Sequence, residues 1–253
     1  MTRPIAAPLP VSDDALLSGR MKLLQPTEGY RVAIDPVLLA AAVPAVAGDA
    51  VLDIGCGVGA ASLCLAARVP DCRITGIETQ RDLVRLAGEN AARNGVADRV
   101  AIMAGDIRNP PPRLEPGGFA HVMANPPYMD VATASPSPLP AKATATVEGA
   151  TDLAAWVRFA LAMARPRGSI TFIHRADRLE HLLAQFAGRA GGIVVLPLWP
   201  GAGKLAKRVI VHARKDVATP TRLLPGLVLH QTDGRFTAEA DAVLRDAKAI
   251  DLT

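Results

Sequence analysis

From residue 48 onward, short apolar runs alternate with longer segments whose apolar positions recur at helical spacing. The short runs predict strands at 50–54, 73–77 (ending at Glu78), 99–103, 119–124, 168–174, 192–196 and 208–213. Between them, 60–68 reads as an apolar helix. Residues 80–94 carry Leu83, Val84, Leu86, Ala87 and Ala91 on one face until Asn94-Gly95 stops the pattern. Further helices are expected from a Thr151-Asp152 cap to residue 164, over 177–189 and over 237–247. No helical segment separates the last two strands, which are joined through 197–206, so they should pair antiparallel. Alternating strands and helices argue for an α/β architecture around a largely parallel sheet.

The first part of the chain has a different texture. Residues 1–12 are proline-rich and expected to be poorly ordered, 13–20 could form a helical turn or two, and 20–26 reads as a short strand before a turn through Glu28-Gly29. Asp35-Pro36 is a helix-start signal, an N-cap acid with proline in the first turn. The helix that follows, 37–46, is apolar nearly all round and should be buried against the main sheet. Residues 1–47 therefore read as an extension and cap, and 48–253 as the main domain. Residues 129–147, rich in Pro, Ser, Ala and Thr, form a long loop of the kind that is usually functional or disordered.

Composition narrows the setting. Half of the 253 residues are apolar and 21% charged, which is ordinary for a globular enzyme, and the net charge of +4 is compatible with a polyanionic partner. The three cysteines, Cys56, Cys64 and Cys72, form no CxxC pair, and the five histidines are scattered, so neither a disulfide framework nor a metal site is expected. The chain lacks a signal-peptide core and any apolar run long enough to span a membrane, so a cytoplasmic setting is expected.

Candidate chemistry lies at the carboxyl ends of the predicted strands, where open α/β sheets bind ligands. The first strand ends in Asp53-Ile54-Gly55-Cys56-Gly57-Val58-Gly59, a glycine loop whose backbone can approach a ligand closely. Glu78, 25 residues after Asp53, could grip both hydroxyls of a ribose, and Asp106 with Ile107 could meet the exocyclic amine of an adenine. For Glu78 and Asp106 the competing reading is a plain strand-end turn. Gly55, Gly57 and Ala60 also satisfy a dinucleotide-binding pattern, so the glycines alone do not separate NAD from S-adenosylmethionine. A carboxylate-rich site with no arginine in the loop suits a phosphate-free, cationic ligand better.

Asn125-Pro126-Pro127-Tyr128, at the end of the fourth strand, sharpens the choice. It resembles the box of methyltransferases that modify a planar conjugated amine, whose delocalised lone pair makes it a poor nucleophile. An asparagine oxygen and the Pro126 carbonyl accepting its hydrogens would stabilise positive charge developing on that nitrogen and aim it for displacement. The box resembles that of class I S-adenosylmethionine methyltransferases acting on exocyclic amines, whose seven-stranded doubly wound sheet ends in an antiparallel pair. With the segment from Met21 to Leu39, the chain resembles the tRNA1(Val) adenine-N6 methyltransferase family, from about residue 16 to the C-terminus. Ile34-Asp35-Pro36 departs from the turn usual there, which leaves the role of Asp35 open.

The resemblance implies S-adenosylmethionine as donor, held by Asp53, Gly55, Cys56, Gly57, Gly59, Glu78, Asp106, Ile107 and Asn125. It implies Asn125, Pro126 and Tyr128 as catalytic residues, with Pro127 and Tyr128 against the acceptor base, no metal, and adenine N6 in tRNA as acceptor. Lys22, Lys207 and Arg208 are candidate RNA contacts, alongside Arg20, Arg31, Lys142 and Lys204. Other acceptors stay open: a protein glutamine, guanine N2 or cytosine N4 in RNA, or no turnover at all in a donor-binding protein. Protein-glutamine methyltransferases share the box but carry an N-terminal helical domain, for which the residues ahead of the first strand leave little room. His174, Trp199 and Trp156 read as packing residues.

Overall fold

The computed structural model describes residues 9–29, 31–127, 129–130, 147–148 and 152–253. Its centre is a nine-stranded sheet. The parallel part comprises β3 (Ala50–Ile54), β4 (Arg73–Glu78), β5 (Val100–Ala104), β6 (Phe119–Ala124) and β9 (Ala164–Arg175). Next come β10 (Ala190–Gly201) and β11 (Arg208–Lys215), then two short strands, β12 (Arg222–Leu223) and β13 (Leu227–His230), which both pair with β10. The spatial order is β12-β10-β11-β9-β6-β3-β4-β5. β11 is antiparallel to both neighbours, from Arg208 opposite Arg175 on one side and Leu198 opposite Arg208 on the other. The antiparallel finish is as expected; β12 and β13 were not anticipated.

The central strands alternate their side chains between two cores, as the pleat requires. Val51, Ile74, Met123 and Ile173 belong to one buried cluster with α1 (Asp35–Ala42), α2 (Ala60–Arg68) and α6 (Ala238–Asp246). Leu52, Ile77, Val122 and Phe172 belong to the other, covered by α4 (Leu153–Met163) and α5 (Leu179–Phe186). α3 (Arg81–Arg93) packs beside β4 and β5 with a single apolar face, Leu86, Ala87 and Ala91 being buried. The chain winds outward from β3 to β5 and then returns to β6 on the far side of β3. The switch in strand order, where a crevice opens at the carboxyl ends, therefore lies between β3 and β6.

The N-terminal segment departs from expectation. Residues 11–16 are a strand, β1 (Val11–Leu16), antiparallel to β2 (Met21–Pro26), and not a helical turn. Leu17, Ser18 and Gly19 all take positive φ, a tight reversal that feeds one strand into the other. Leu17, Met21, Leu23 and Leu24 share the core of α1 and α2, so the hairpin is packed onto the sheet's helical layer.

α1 starts as foreseen but ends at Ala42, because the residue before Pro44 is steered out of helical geometry. Every residue of α1 is buried. Asp35 does not cap it: Ile34 is the N-cap, and the Asp35 carboxylate instead accepts from Arg208 Nε at 3.1 Å. Most of the 129–147 loop lies outside the described residues; the backbones of β7 (Met129–Asp130) and β8 (Val147–Glu148) pair in parallel. Among the described residues, no helix is long and apolar enough to cross a membrane.

Candidate active site

The glycine loop leaves β3 at the switch point and enters α2. Cys56 N–H donates to the Ile77 carbonyl at 3.0 Å, stitching the loop to β4, and Gly59 N–H donates to the Cys56 carbonyl at 2.8 Å, closing the turn. Gly57 has φ +56, with no atom within 4 Å of the position a Cβ would take, so the loop presents bare backbone to open space. Cys56 is turned inward. Its sulfur would be 2.8 Å from a Cβ on Gly76, and burial pushes its thiol pKa up. Only its backbone faces the loop's outer side.

Asp53 and Glu78 brace that loop from within. Strand alternation puts Asp53 on the α2 face of β3, where its carboxylate accepts from Ser62 Oγ at 2.7 Å and is 2% exposed. Burial drives its pKa up to about 7, the nearby Glu78 charge adds to this, and the Ser62 hydrogen bonds oppose it. Asp53 thus stands behind the loop. Glu78, at the end of β4, accepts from Gly57 N–H at 3.1 Å through one oxygen, and from Gln80 N–H at 2.9 Å and Thr79 Oγ1 at 3.1 Å through the other. It ties the loop after β3 to the N-terminus of α3. A carboxylate has about four acceptor positions, so three of them are used by the protein itself.

Asp106 follows β5 and is folded over Arg108, with contacts of 2.6 and 3.1 Å that hold its carboxyl below the usual range. Ile107 beside it is half-buried against the α4 side of the sheet. On the other flank, β6 delivers Asn125, half-buried, then Pro126, buried, and Pro127, half-buried. Tyr128 and Lys142 lie outside the described residues. The fold brings the glycine loop, Glu78, Asp106 and Asn125 to the carboxyl ends of four consecutive strands.

Trp156 belongs to this site as well. Its ring lies against Gly55, where a Cβ would come within 2.5 Å of Cη2, and among the described residues its buried Nε1 has no hydrogen-bond partner. In the sequence it reads only as the aromatic of an apolar helix. The signal that could have marked it is its place in the first turn of the helix that follows the acceptor box, at the same end of the sheet. His174 is 1% exposed and Trp199 donates to the Pro225 carbonyl at 3.0 Å; both sit in packed surroundings.

The basic candidates separate. Lys207 and Arg208 stand at the carboxyl end of the sheet beside Arg175, the last residue of β9. Lys22 lies at the other end: its backbone is held by Asn94, the C-cap of α3, which runs back from the site toward the start of β5. Arg20 and Arg31 are engaged by the Arg245 carbonyl and by Asp14.

The sheet order and the backbone cradle at its switch point are those of the Rossmann-like methyltransferase fold, and the "Methyltransferase small domain" family model matches residues 32–138. The chain is related to tRNA1(Val) (adenine(37)-N6)-methyltransferases. That of Aeromonas hydrophila is 28% identical over 82% of this chain and 85% of its own length. That of Porphyromonas gingivalis is 32% identical over 60% of this chain and 61% of its own. Among solved structures, a predicted O-methyltransferase, protein Atu636 from Agrobacterium tumefaciens, superposes with a TM-score of 0.72 at 23% identity, over 86% of this chain and 98% of that one. At that identity the likeness speaks for the fold alone.

The site leaves room for S-adenosylmethionine, the donor of methyltransferases with this fold: Gly57 presents open backbone at the loop, and the Glu78 carboxylate holds that backbone in place.

Proposed function

We propose that this protein methylates an exocyclic amine, adenine N6 of a tRNA, from S-adenosylmethionine. The observation that carries the reading is the juxtaposition of Asn125-Pro126-Pro127 with the glycine loop across the β3–β6 switch point. The named activity of the relatives supports the choice of adenine and tRNA.

In this reading Gly57 and its neighbours would hold the donor against bare backbone, while Glu78 and Asp106 would meet its ribose and adenine. When bound, S-adenosylmethionine supplies an electrophilic methyl group. The Asn125 side-chain oxygen and the Pro126 carbonyl would accept the two amine hydrogens of the acceptor, opposing the charge that grows on nitrogen as it attacks. Proline on both sides of that carbonyl keeps it fixed before the acceptor arrives. The Tyr128 ring would stack on the base. A base inside a duplex cannot present its amine in this way, so the target would be a looped or flipped nucleotide.

The test is incubation with labelled donor and either total tRNA or total protein from cells lacking the gene, followed by nucleoside and amino-acid analysis. Label in N6-methyladenosine is the expected result. Label in protein glutamine, or in another nucleoside, would replace the proposed acceptor.

A further inference from the structure

We infer that the β10–β11 connection is the surface on which the acceptor RNA's phosphate backbone docks, an inference that rests on the RNA reading above. Beyond the carboxyl end of β10, a recess of about 740 Å³ opens between Arg175 and Asp177 on one wall and residues 204–208 on the other. Four cations line it against one carboxylate. Asp177 is occupied by Arg175, whose Nε donates to it at 2.8 Å, and Arg208 is drawn toward Asp35 from behind. Lys204 and Lys207 are both exposed, and among the described residues neither forms an ion pair. The two lysines are therefore the charges left to meet an outside anion. Between them Leu205 is 88% exposed, an apolar side chain held up on a basic rim, suited to lie against a ribose or a base face.

The connection is held in place before any partner arrives. Ala176 N–H donates to the Lys207 carbonyl at 3.1 Å, Lys204 N–H to the Gly201 carbonyl at 3.2 Å, and β13 covers the end of β10 with Gly201 opposite His230. Little ordering entropy then remains to be lost on binding.

Its place relative to the acceptor box follows from strand register. Ala124, just before Asn125, is level with Phe172 of β9, and Arg175 at the end of β9 is opposite Arg208. β9, β11 and β10 therefore stand roughly 5, 10 and 15 Å to one side of β6. An RNA with one base at Asn125 would carry its flanking phosphates across this basic rim. Lys22, at the opposite end of the sheet, has no part in it.

The test is fluorescence anisotropy with an unlabelled-donor-saturated protein and a labelled tRNA transcript, repeated across salt concentrations. Calorimetry of S-adenosylmethionine binding serves as the folding control. Lys204→Glu combined with Lys207→Glu should weaken tRNA binding at least tenfold at low salt. It should flatten the dependence of log affinity on log salt by about 1.5, the slope for two phosphates. Leu205→Ser should weaken binding at every salt concentration without changing the slope, and Lys22→Glu should change neither. If charge reversal disturbs donor binding, the neutral pair Lys204→Gln and Lys207→Gln should still flatten the slope. Wild-type affinity and slope in the lysine pair would overturn this surface while leaving the RNA reading intact. A wild-type protein that binds no tRNA but labels an acidic protein would overturn both.

Discussion

Asn90 of α3 clasps Leu24 of β2 from both sides: its Oδ1 accepts Leu24 N–H at 2.7 Å, and its Nδ2 donates to the Leu24 carbonyl at 2.9 Å. The same Nδ2 reaches the Val58 carbonyl of the glycine loop at 3.0 Å. One turn further along, Asn94 repeats the clasp on Lys22 at 2.8 and 2.7 Å. Two asparagines at helical spacing thus present β2 with the partners a neighbouring strand would offer, and the inner one links the N-terminal hairpin to the donor loop.

Asn90 is fully buried, so water cannot take over its bonds. Asn90→Leu should strand one N–H and two carbonyls and lower stability by roughly 2–5 kcal/mol. Asn94→Ala, at a half-buried position, should cost no more than about 1 kcal/mol. Urea denaturation would compare them; equal midpoints would mean that the hairpin is not held by this residue.

Gly55 and Gly57 make a second, internal comparison. Both have positive φ, but only Gly55 faces Trp156. Gly57→Ala should cost about the 1–2 kcal/mol of a left-handed non-glycine residue. Gly55→Ala should cost clearly more and weaken donor binding, because the ring must move. Adding Trp156→Leu should recover the difference between the two and no more. Thermal melts of the three variants decide it; equal losses for both alanines would show that the indole yields freely.

Asp53 should set a pH dependence. Its folded pKa, about 7, lies above the unfolded 3.8 because burial disfavours the anion. The folded state thus holds the proton over that window, and the contribution to stability is present at low pH and lost as pH rises through 7. Asp53→Asn, which has no carboxyl to ionise, should gain on wild type by roughly 2–3 kcal/mol between pH 5 and 8. A difference that stays flat, or runs the other way, would mean that the carboxylate is well solvated or held by donors stronger than Ser62.

The main-sheet elements were legible because their apolar runs are short, bounded by turns and matched in period. β3 and β6 fall where the hydropathy places them, and the missing helix between β10 and β11 announces their antiparallel pairing. The hairpin was hidden because Val11-Ser12-Asp13-Asp14-Ala15-Leu16 has no alternation of its own; pairing with β2 makes it a strand. Asp35 has the sequence context of a cap, yet a cation 173 positions away claims it. Nor could spacing show that Glu78 spends its oxygens on Gly57 and Gln80, since those bonds exist only once β3 and β4 lie side by side. Lys22 and Lys207 are both basic residues near apolar runs. Only the direction of α3 shows that they sit at opposite ends of the sheet.

Asn125 is where binding and chemistry should come apart. Its oxygen is proposed to meet charge that appears on the acceptor nitrogen only during attack, so its loss should reduce turnover while donor affinity stays close to wild type. Removing one preorganised partner of this kind typically costs a factor of roughly 100 to 1,000 in rate. Asn125→Ala should show that loss in single-turnover methylation of tRNA, with S-adenosylmethionine affinity unchanged by calorimetry. Asn125→Asp should lose less, because a carboxylate oxygen can still accept the amine hydrogen. Glu78→Ala should invert the pattern by weakening donor binding first, since it removes the acceptor that fixes Gly57 N–H. Near wild-type turnover by Asn125→Ala would reduce the Asn125-Pro126-Pro127 segment to a turn and remove the main support for an amine acceptor.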